Sequence, residues 1–442
     1  MRIGLIGDGG REFAIASAVK RTSAIPAELF SVCKNNNVGI REISEEVLRT
    51  SYGEKEKILE FFLKNRVETV VIGPEAPLMT GVVEYLRENG IPVVGATKSQ
   101  ARLEGDKSFM REFLKHKVGW GSPEWEIVKT EDEVRRFLDA HGDSVVKPIG
   151  LTGGKGVKVM GIQLQSVEDA VKYAEETIAA DSIVLLEEKL VGEEFSRMAF
   201  VSGGIVHGMP LAQDFKYRYD GDKGLMTGGM GSYTYADHKM PFVTDDDLKA
   251  ADRLMTEVIH KLVEETGEDY RGFLYGQFMA TAKGIRLIEF NVRLGDPEAI
   301  NLMSLLESDA GKIMKDIASG DISETDIRFK ESASVVKYLV PRNYPAPLKE
   351  ELIFDLDEKL IQDNGLSLIQ ASVERLSDTK WKALGSRTIG ILGFGDSPED
   401  ISEKIENLLA QIQPPELDHR KDVGDRAVLQ MKTEKMNHLK AM

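Results

Sequence analysis

Four polar blocks of this sequence have residue types and spacings suited to phosphate, nucleotide and metal chemistry. The first is Gly7-Asp8-Gly9-Gly10-Arg11, which follows an apolar run and opens a helical pattern. A glycine turn at that place aims backbone N–H groups and a helix N-terminus at an anion. It departs from a dinucleotide fingerprint, because the third glycine is replaced and Cys33-Lys34-Asn35 stands where an acidic residue is needed. A phosphate site is favoured over a nicotinamide cofactor.

The second block runs Lys147-Pro148-Ile149-Gly150-Leu151-Thr152-Gly153-Gly154-Lys155-Gly156-Val157, between two strand patterns and without the Gly-Lys-Ser/Thr order of a Walker loop. Such a loop can fold over a triphosphate, with bare amides and Lys155 meeting the anion and Lys147 facing the same phosphates. The third block, Gly221 to Gly231, has no periodicity and reads as a long substrate-enclosing loop.

The fourth is a metal-ligand pattern. Gln277 lies on one strand, and Ile288-Glu289-Phe290-Asn291 on its hairpin partner. Alternation sends Glu289 and Asn291 to one face while Ile288 and Phe290 fill the core. Oxygen donors with open positions suit Mg²⁺, which keeps water and takes phosphate oxygens. Arg293, Asp296 and Glu298 follow, a dense polar block leaving a buried hairpin.

These residues need elements to hold them. Apolar runs at Arg2–Ile6, Val67–Ile72 and Ile91–Val94, with helical patterns at Arg11–Lys20 and Val82–Glu88, predict a doubly wound parallel sheet in an N-terminal domain, 1–102. Residues 103–327 mix strands and helices, an α+β pattern with hairpins at Phe195–Val201/Ile205–Met209 and Phe273–Ala280/Ile285–Phe290. A helix is expected over Asp245–Glu265, capped by Thr244 with acids in its first turn. A β-rich unit, 328–442, ends the chain, with strands near Ala333–Val340 and Arg387–Phe394 and a helix at Pro398–Ile412.

Composition narrows the function. In 442 residues, 73 acidic against 57 basic side chains give a net charge of −16, which disfavours nucleic acid as a partner. One cysteine excludes a disulfide framework and points to a reducing compartment. No signal-peptide pattern or membrane span is evident, so a cytoplasmic location is expected. Histidines show no metal or nucleophile spacing.

Nine blocks in order resemble the phosphoribosylamine–glycine ligase family of the ATP-grasp superfamily: IGDGGRE at the start, VIGPEAPL at 71–78, LEGDKSF at 103–109, VVKPIGLTGGKGV at 145–157, EEKLVGEEFS at 187–196, QDFKYRYDGDKGLMTGGMGSY at 213–233, FLYGQFM at 273–279, IEFNVRLGDPE at 288–298 and RKDVGDRA at 420–427. The sequence departs from the family at Asn35-Asn36-Asn37-Val38-Gly39, where a Pro-Gly-Asn loop is usual, and at Phe215, where histidine is frequent.

The resemblance implies an ATP-grasp fold with a small lid at about 121–190. It implies ATP-dependent joining of glycine to 5-phosphoribosylamine through glycyl phosphate, in purine synthesis. ATP would meet Lys107, Lys147, the covering loop Gly153, Gly154, Lys155, Gly156 and Val157, the hinge Glu187, Glu188, Lys189 and Leu190, and Glu194 at the ribose. Gln277, Glu289 and Asn291 would hold Mg²⁺ or Mn²⁺. Arg293 would hold the glycine carboxylate or acyl phosphate, with Asp214, Lys216 and Asp296 near the substrates. Gly9, Gly10 and Glu75 would take the sugar phosphate and hydroxyls. The partners implied are these small molecules, with transient contact to neighbouring purine-pathway enzymes and none to nucleic acid or membrane. A nicotinamide oxidoreductase, resting on the first glycine turn alone, another ATP-grasp ligase and a non-catalytic nucleotide sensor are the rival readings.

Overall fold

The computed structural model describes residues 1–150 and 156–442. Short β-branched runs separated by helices make the N-terminal sheet: β1 (Arg2–Ile6), β2 (Glu28–Cys33), β3 (Glu46–Arg49), β4 (Thr69–Ile72) and β5 (Val93–Val94). Their order is β3-β2-β1-β4-β5, and every pair is parallel. Ile3, Leu5, Ile6 and the whole of β4 are buried, as strands covered on both faces must be. Strand order reverses at β1, so its carboxyl end is the switch point where such sheets bind ligands. Gly7–Gly10 lies there, and the helix Gly10–Thr22 starts on it.

The lid is a four-stranded antiparallel sheet of β6 (Trp125–Val128), β7 (Ser144–Lys147), β8 (Lys158–Val159) and β9 (Val184–Glu188), in the order β6-β9-β7-β8. The helices Glu131–His141 and Val167–Asp181 pack on it, each opened by a capping box, Thr130 with Glu133 and Ser166 with Asp169. Val134, Phe137, Val171 and Ala174 join Val146 and Leu186 in a core separate from the rest of the protein. A core of its own makes the lid a distinct packing unit.

The larger subdomain is the antiparallel sheet β11-β10-β16-β17, from β10 (Gly192–Ser202), β11 (Ile205–Gly208), β16 (Gly272–Thr281) and β17 (Gly284–Asn291). Gly203 and Gly204, both with positive φ, make the two-residue turn that the first hairpin needs. The helix Asp245–Thr266 packs on this sheet. Thr244 caps it with Asp247 as reciprocal partner, and Gly267 closes it at φ 69°.

Between these elements the chain adds β12 (Gln213–Asp214), β13 (Tyr217–Tyr219), β14 (Lys223–Met226) and β15 (Gly231–Thr234). The long loop expected over 221–231 is therefore partly a β13–β14 hairpin, with only 227–230 irregular. β12 and β15 extend a sheet built on β18 (Ala333–Pro341), with β19 (Ser367–Gln370) and β20 (Ile389–Gly395) on its far side, in the order β12-β15-β18-β20-β19. Every residue of β18 is buried. The helices Pro398–Ile412 and Arg426–Ala441 complete the chain. Among the described residues, no helix is long and apolar enough to cross a membrane.

Candidate functional site

The nucleotide-type residues meet between the lid and the larger subdomain. Lys147 ends β7, where burial denies it water and Glu187 of the adjacent β9 supplies the counter-charge, Nζ to Oε2 at 2.7 Å. The other oxygen of Glu187 accepts from Arg111 Nε at 2.7 Å. Burial pushes the Glu187 carboxyl up, but Arg111 and Lys147 outweigh it and hold the group below its ordinary value. Arg111 also donates to the carbonyls of Leu287 and Ile288, at 3.1 and 2.7 Å. One buried guanidinium thus joins the lid hinge to the strand carrying Glu289. The sequence reading missed it, because a lone arginine on an amphipathic helix carries no motif.

Lys107, at the start of the helix Lys107–Phe113, reaches the Gly150 carbonyl at 2.9 Å. Burial lowers its pKa against the pull of Glu289, and neighbouring Lys147 lowers it further. Glu188 and Lys189 turn back into the lid, onto Glu124 N and Asp143 respectively, so the 187–190 hinge presents chiefly backbone. Gly156 accepts from Tyr173 Oη at 2.7 Å and is followed by Val157; Gly153, Gly154 and Lys155 lie outside the described residues.

The metal pattern falls on the β16–β17 hairpin, where Gln277 pairs opposite Glu289. The register slips between Gln277 and Phe278, so that Phe278 faces Leu287 and Ile288 is the extra residue of a bulge. Leu287 therefore fills the core place expected for Ile288, which is only half-buried. A bulge re-aims the residues after it, and here those are Glu289, Asn291 and Arg293. Burial raises the Glu289 carboxyl, but Lys216, Lys147, Lys107 and Arg293 together hold it below its ordinary value. An ionised carboxylate among four cations is a place for phosphate oxygens and a hard cation together.

The donor set fits a divalent ion that draws most of its shell from water and phosphate. Glu289 carries the charge, and Asn291 lies 3.5 Å from it while its Oδ1 accepts from Arg293. Gln277 is committed at both ends, Nε2 to Glu194 at 2.8 Å and Oε1 to the Tyr275 hydroxyl. Among the described residues no cluster of three acidic, His or Cys groups makes a cage by itself.

Glu194 also accepts from Lys216 Nζ at 3.3 Å, and Asp214 Oδ1 lies 3.4 Å from Gln277 Nε2. Burial pushes Asp214 up to about 7 against Lys216, with Glu298 and Glu194 adding to the rise. Burial lowers Lys216, but Glu194 and Asp214 reverse this and raise its pKa. Glu298, held by Tyr275 Oη and Ser196 Oγ, completes this cluster.

Asp296 goes elsewhere. It lines a cavity of about 160 Å³ with Asp8, Gly9, Gly10, Asn37 and Arg387, at the switch point of the N-terminal sheet. Tyr338 Oη donates to its Oδ1 at 2.7 Å and Arg387 to its Oδ2 at 2.9 Å. Arg387 also donates to the Gly228 carbonyl, so the end of the third glycine block closes on this cavity. Gly229 there has φ 111° and packs against Pro297. A side chain at Gly10 would run into the Tyr338 hydroxyl. The Gly9 amide is spent on Glu12 at 2.7 Å, which leaves Arg387 as the cationic group of the cavity wall. The sequence signal at Arg387 is no more than a Gly-Ser-Arg turn opening an apolar strand.

Arg293 binds Glu104 at 3.0 Å and lies 3.5 Å from Glu75, linking the hairpin to the N-terminal region. Its Nε is buried without a hydrogen-bond partner. Burial raises the Glu75 carboxyl, but Arg293 and Arg11 pull it below its ordinary value.

Residues 1–104 match the family described as phosphoribosylglycinamide synthetase, N domain, and residues 105–299 its ATP-grasp (A) domain. A protein of Methanocaldococcus jannaschii named phosphoribosylamine–glycine ligase is 40% identical over 449 residues, covering 100% of both chains. A Pyrococcus abyssi protein of the same name is 41% identical, covering 99% of this chain and 98% of its own. The crystal structure of a phosphoribosylamine–glycine ligase from Thermotoga maritima superposes with a TM-score of 0.77 at 28% identity, over 96% of this chain and 100% of the other. A biotin carboxylase domain from Hydrogenobacter thermophilus, 16% identical with a TM-score of 0.69 over 99% of this chain and 93% of the other, shares the fold.

Proposed function

The chain belongs to the phosphoribosylglycinamide synthetase family of ATP-grasp ligases, and on that premise we propose how its residues join glycine to 5-phosphoribosylamine. The observation that carries the reading is the ionised Glu289 held among Lys107, Lys147, Lys216 and Arg293, between the lid and the larger subdomain.

An amine cannot displace oxide from a carboxylate, so a leaving group must be installed first. A glycine carboxylate oxygen attacks the γ-phosphorus of ATP, the bond to the β-phosphate oxygen breaks, and ADP leaves. The amine nitrogen of phosphoribosylamine then attacks the carbonyl carbon of glycyl phosphate. The bond from that carbon to the phosphoryl oxygen breaks, and phosphate departs with the amine proton. Lys107 and Lys147 neutralise charge on the transferring phosphoryl group, Glu187 orients Lys147, and the 187–190 backbone meets the base. Glu289 and Asn291, with Gln277 beside them, would hold a divalent ion, Mg²⁺ or Mn²⁺, whose charge would polarise the phosphoryl oxygens. Arg293, kept in place by Glu104 and Glu75, holds the acyl end, and Lys216 and Asp214 flank it. Most of the catalysis is positioning and fixed charge.

The cavity at Gly9–Gly10 takes the ribose phosphate, where Arg387 offers a planar fork suited to that anion. Glu75 takes a sugar hydroxyl, and Asp296 fixes Arg387. The net charge of −16 fits a cytoplasmic enzyme of small-molecule substrates that engages neither nucleic acid nor membrane, with transient contact to neighbouring purine-pathway enzymes.

Purified protein with Mg-ATP, glycine and fresh phosphoribosylamine should release ADP, and omission of any one component should abolish it. Equal ADP release without glycine would overturn the reading.

A further inference from the structure

The chemistry above makes no use of the block at 420–427 or of the helix that follows it. Arg420 is nonetheless buried, with 1% exposure. It grips Asp422 through Nε and Nη2 at 2.7 and 2.6 Å, and donates from Nη1 to the Tyr217 carbonyl at 3.1 Å and to Asp222 at 2.9 Å. Asp422 accepts from Gly221 N, and Lys421 N donates to Asp220. This segment therefore anchors the β13–β14 hairpin, to which no local sequence pattern ties it.

It also reaches the strand end that carries Asp214 and Lys216. The backbone there is pinned on its inner side: Phe215 N donates to Gly231 O, Met230 N to Phe215 O and Thr227 N to Lys216 O. Asp214 and Lys216 send their side chains toward Gln277 and Glu194, while Phe215 between them is buried with 2% exposure. Its ring centre lies 4.8 Å from the Arg420 guanidinium and 5.1 Å from Lys432 Nζ. Lys432 is itself paired with Glu193 at 3.1 Å. A buried guanidinium and a half-buried ammonium, each also held by a carboxylate, stand beside this one ring, an arrangement that apolar packing alone would not require. Their attraction to the ring face fixes the ring's angle as well as its place.

Resting on the ligase reading above, we infer that Arg420 and Lys432 are positioning residues, which act through Phe215 to aim Asp214 and Lys216 at the reacting carboxyl. The C-terminal segment is then part of the reaction's geometry, although it touches no reacting atom.

The test uses Lys432→Met, Phe215→Leu, their combination, and Lys432→Arg in the full-length chain. Lys432→Met is mild, because Glu193 keeps Lys435 at 2.7 Å. Lys432→Met and Phe215→Leu should each lower kcat per folded molecule by about tenfold, in line with the cost of small misplacements at a reacting centre, while KM for ATP changes by less than about twofold, since uniform ATP binding is untouched. The double variant should be no slower than Phe215→Leu, because the two act through one contact. Lys432→Arg should restore most of kcat. Amide exchange at Thr227 and Met230 should quicken in both single variants and stay unchanged in β1 and β4. A lower melting temperature with unchanged kcat and unchanged exchange would overturn the inference. Absence of turnover in the wild-type chain would overturn the ligase reading instead, and the exchange result would still decide whether the clamp exists.

Discussion

Glu187→Gln removes the carboxylate that Arg111 and Lys147 share, and the structure sets how much that should cost. Breaking a buried pair from one side costs about 3–5 kcal/mol. Arg111 keeps its bonds to the Leu287 and Ile288 carbonyls, whereas Lys147 loses its counter-charge, so the lower end, about 3 kcal/mol, is expected. Lys147→Met is the opposite case. Glu187 then still holds Arg111 at 2.7 Å, and the loss of one charge-assisted bond is partly offset by sparing a buried ammonium, leaving about 1 kcal/mol. Native-state amide exchange of the lid strands β7 and β9 reads these values as local opening. Exchange should quicken about a hundredfold in Glu187→Gln and about fivefold in Lys147→Met, at 1.4 kcal/mol per factor of ten. Function should rank the other way, with KM for ATP rising more in Lys147→Met, which lacks the phosphate-facing cation. Lys147→Met with wild-type KM for ATP, or a lid more labile in Lys147→Met than in Glu187→Gln, would refute the assignment of Glu187 as holder and Lys147 as ligand.

Further outcomes follow from the same geometry. Arg387→Met should raise KM for phosphoribosylamine at least about tenfold, as loss of a charge-assisted contact does, and leave KM for ATP unchanged in steady-state kinetics. Glu289→Ala should abolish turnover while circular dichroism shows a folded chain, and chelation of divalent ions should silence the wild type until Mg²⁺ is restored. The carboxyls of Glu187, Glu289 and Glu75 are held below their ordinary value in the fold. Their stabilisation is present above the unfolded value of about 4.3 and lost as pH falls below it, which acid titration of melting temperature will show. Asp214 has the opposite sign. Pushed up to about 7, it costs stability as pH rises from its unfolded value toward 7, so the melting advantage of metal-free Asp214→Asn over wild type should be larger at pH 8 than at pH 5.

Much of this was legible in sequence where local rules decide the structure. The glycine turn after β1, the Thr244 cap and the two hairpins are set by neighbours within a few residues. So are the lid helices, whose capping boxes precede apolar periodicity. What escaped depends on partners far along the chain. The bulge at Ile288 exists only once β16 and β17 are in register, and alternation alone places Ile288 in the core. Arg387 meets Asp296 across 91 residues, and Arg420 meets Asp222 across 198. No window around either arginine hints at those contacts. The 221–231 block looked irregular because its hairpin is held from the C-terminal segment, with Tyr219 and Leu225 exposed and without alternating burial. The glycine-rich block retains one expectation, phosphate contact by Gly153, Gly154 and Lys155, that lies outside the described residues.

The central claim is that the glycine carboxylate is phosphorylated before the amine attacks. It is tested most directly with glycine carrying oxygen-18 in both carboxylate positions, supplied with phosphoribosylamine and Mg-ATP. Mass spectrometry of the released phosphate should find a single labelled oxygen per molecule, with the other retained in the amide of glycinamide ribonucleotide. Phosphate free of label, formed alongside that product, would contradict the account.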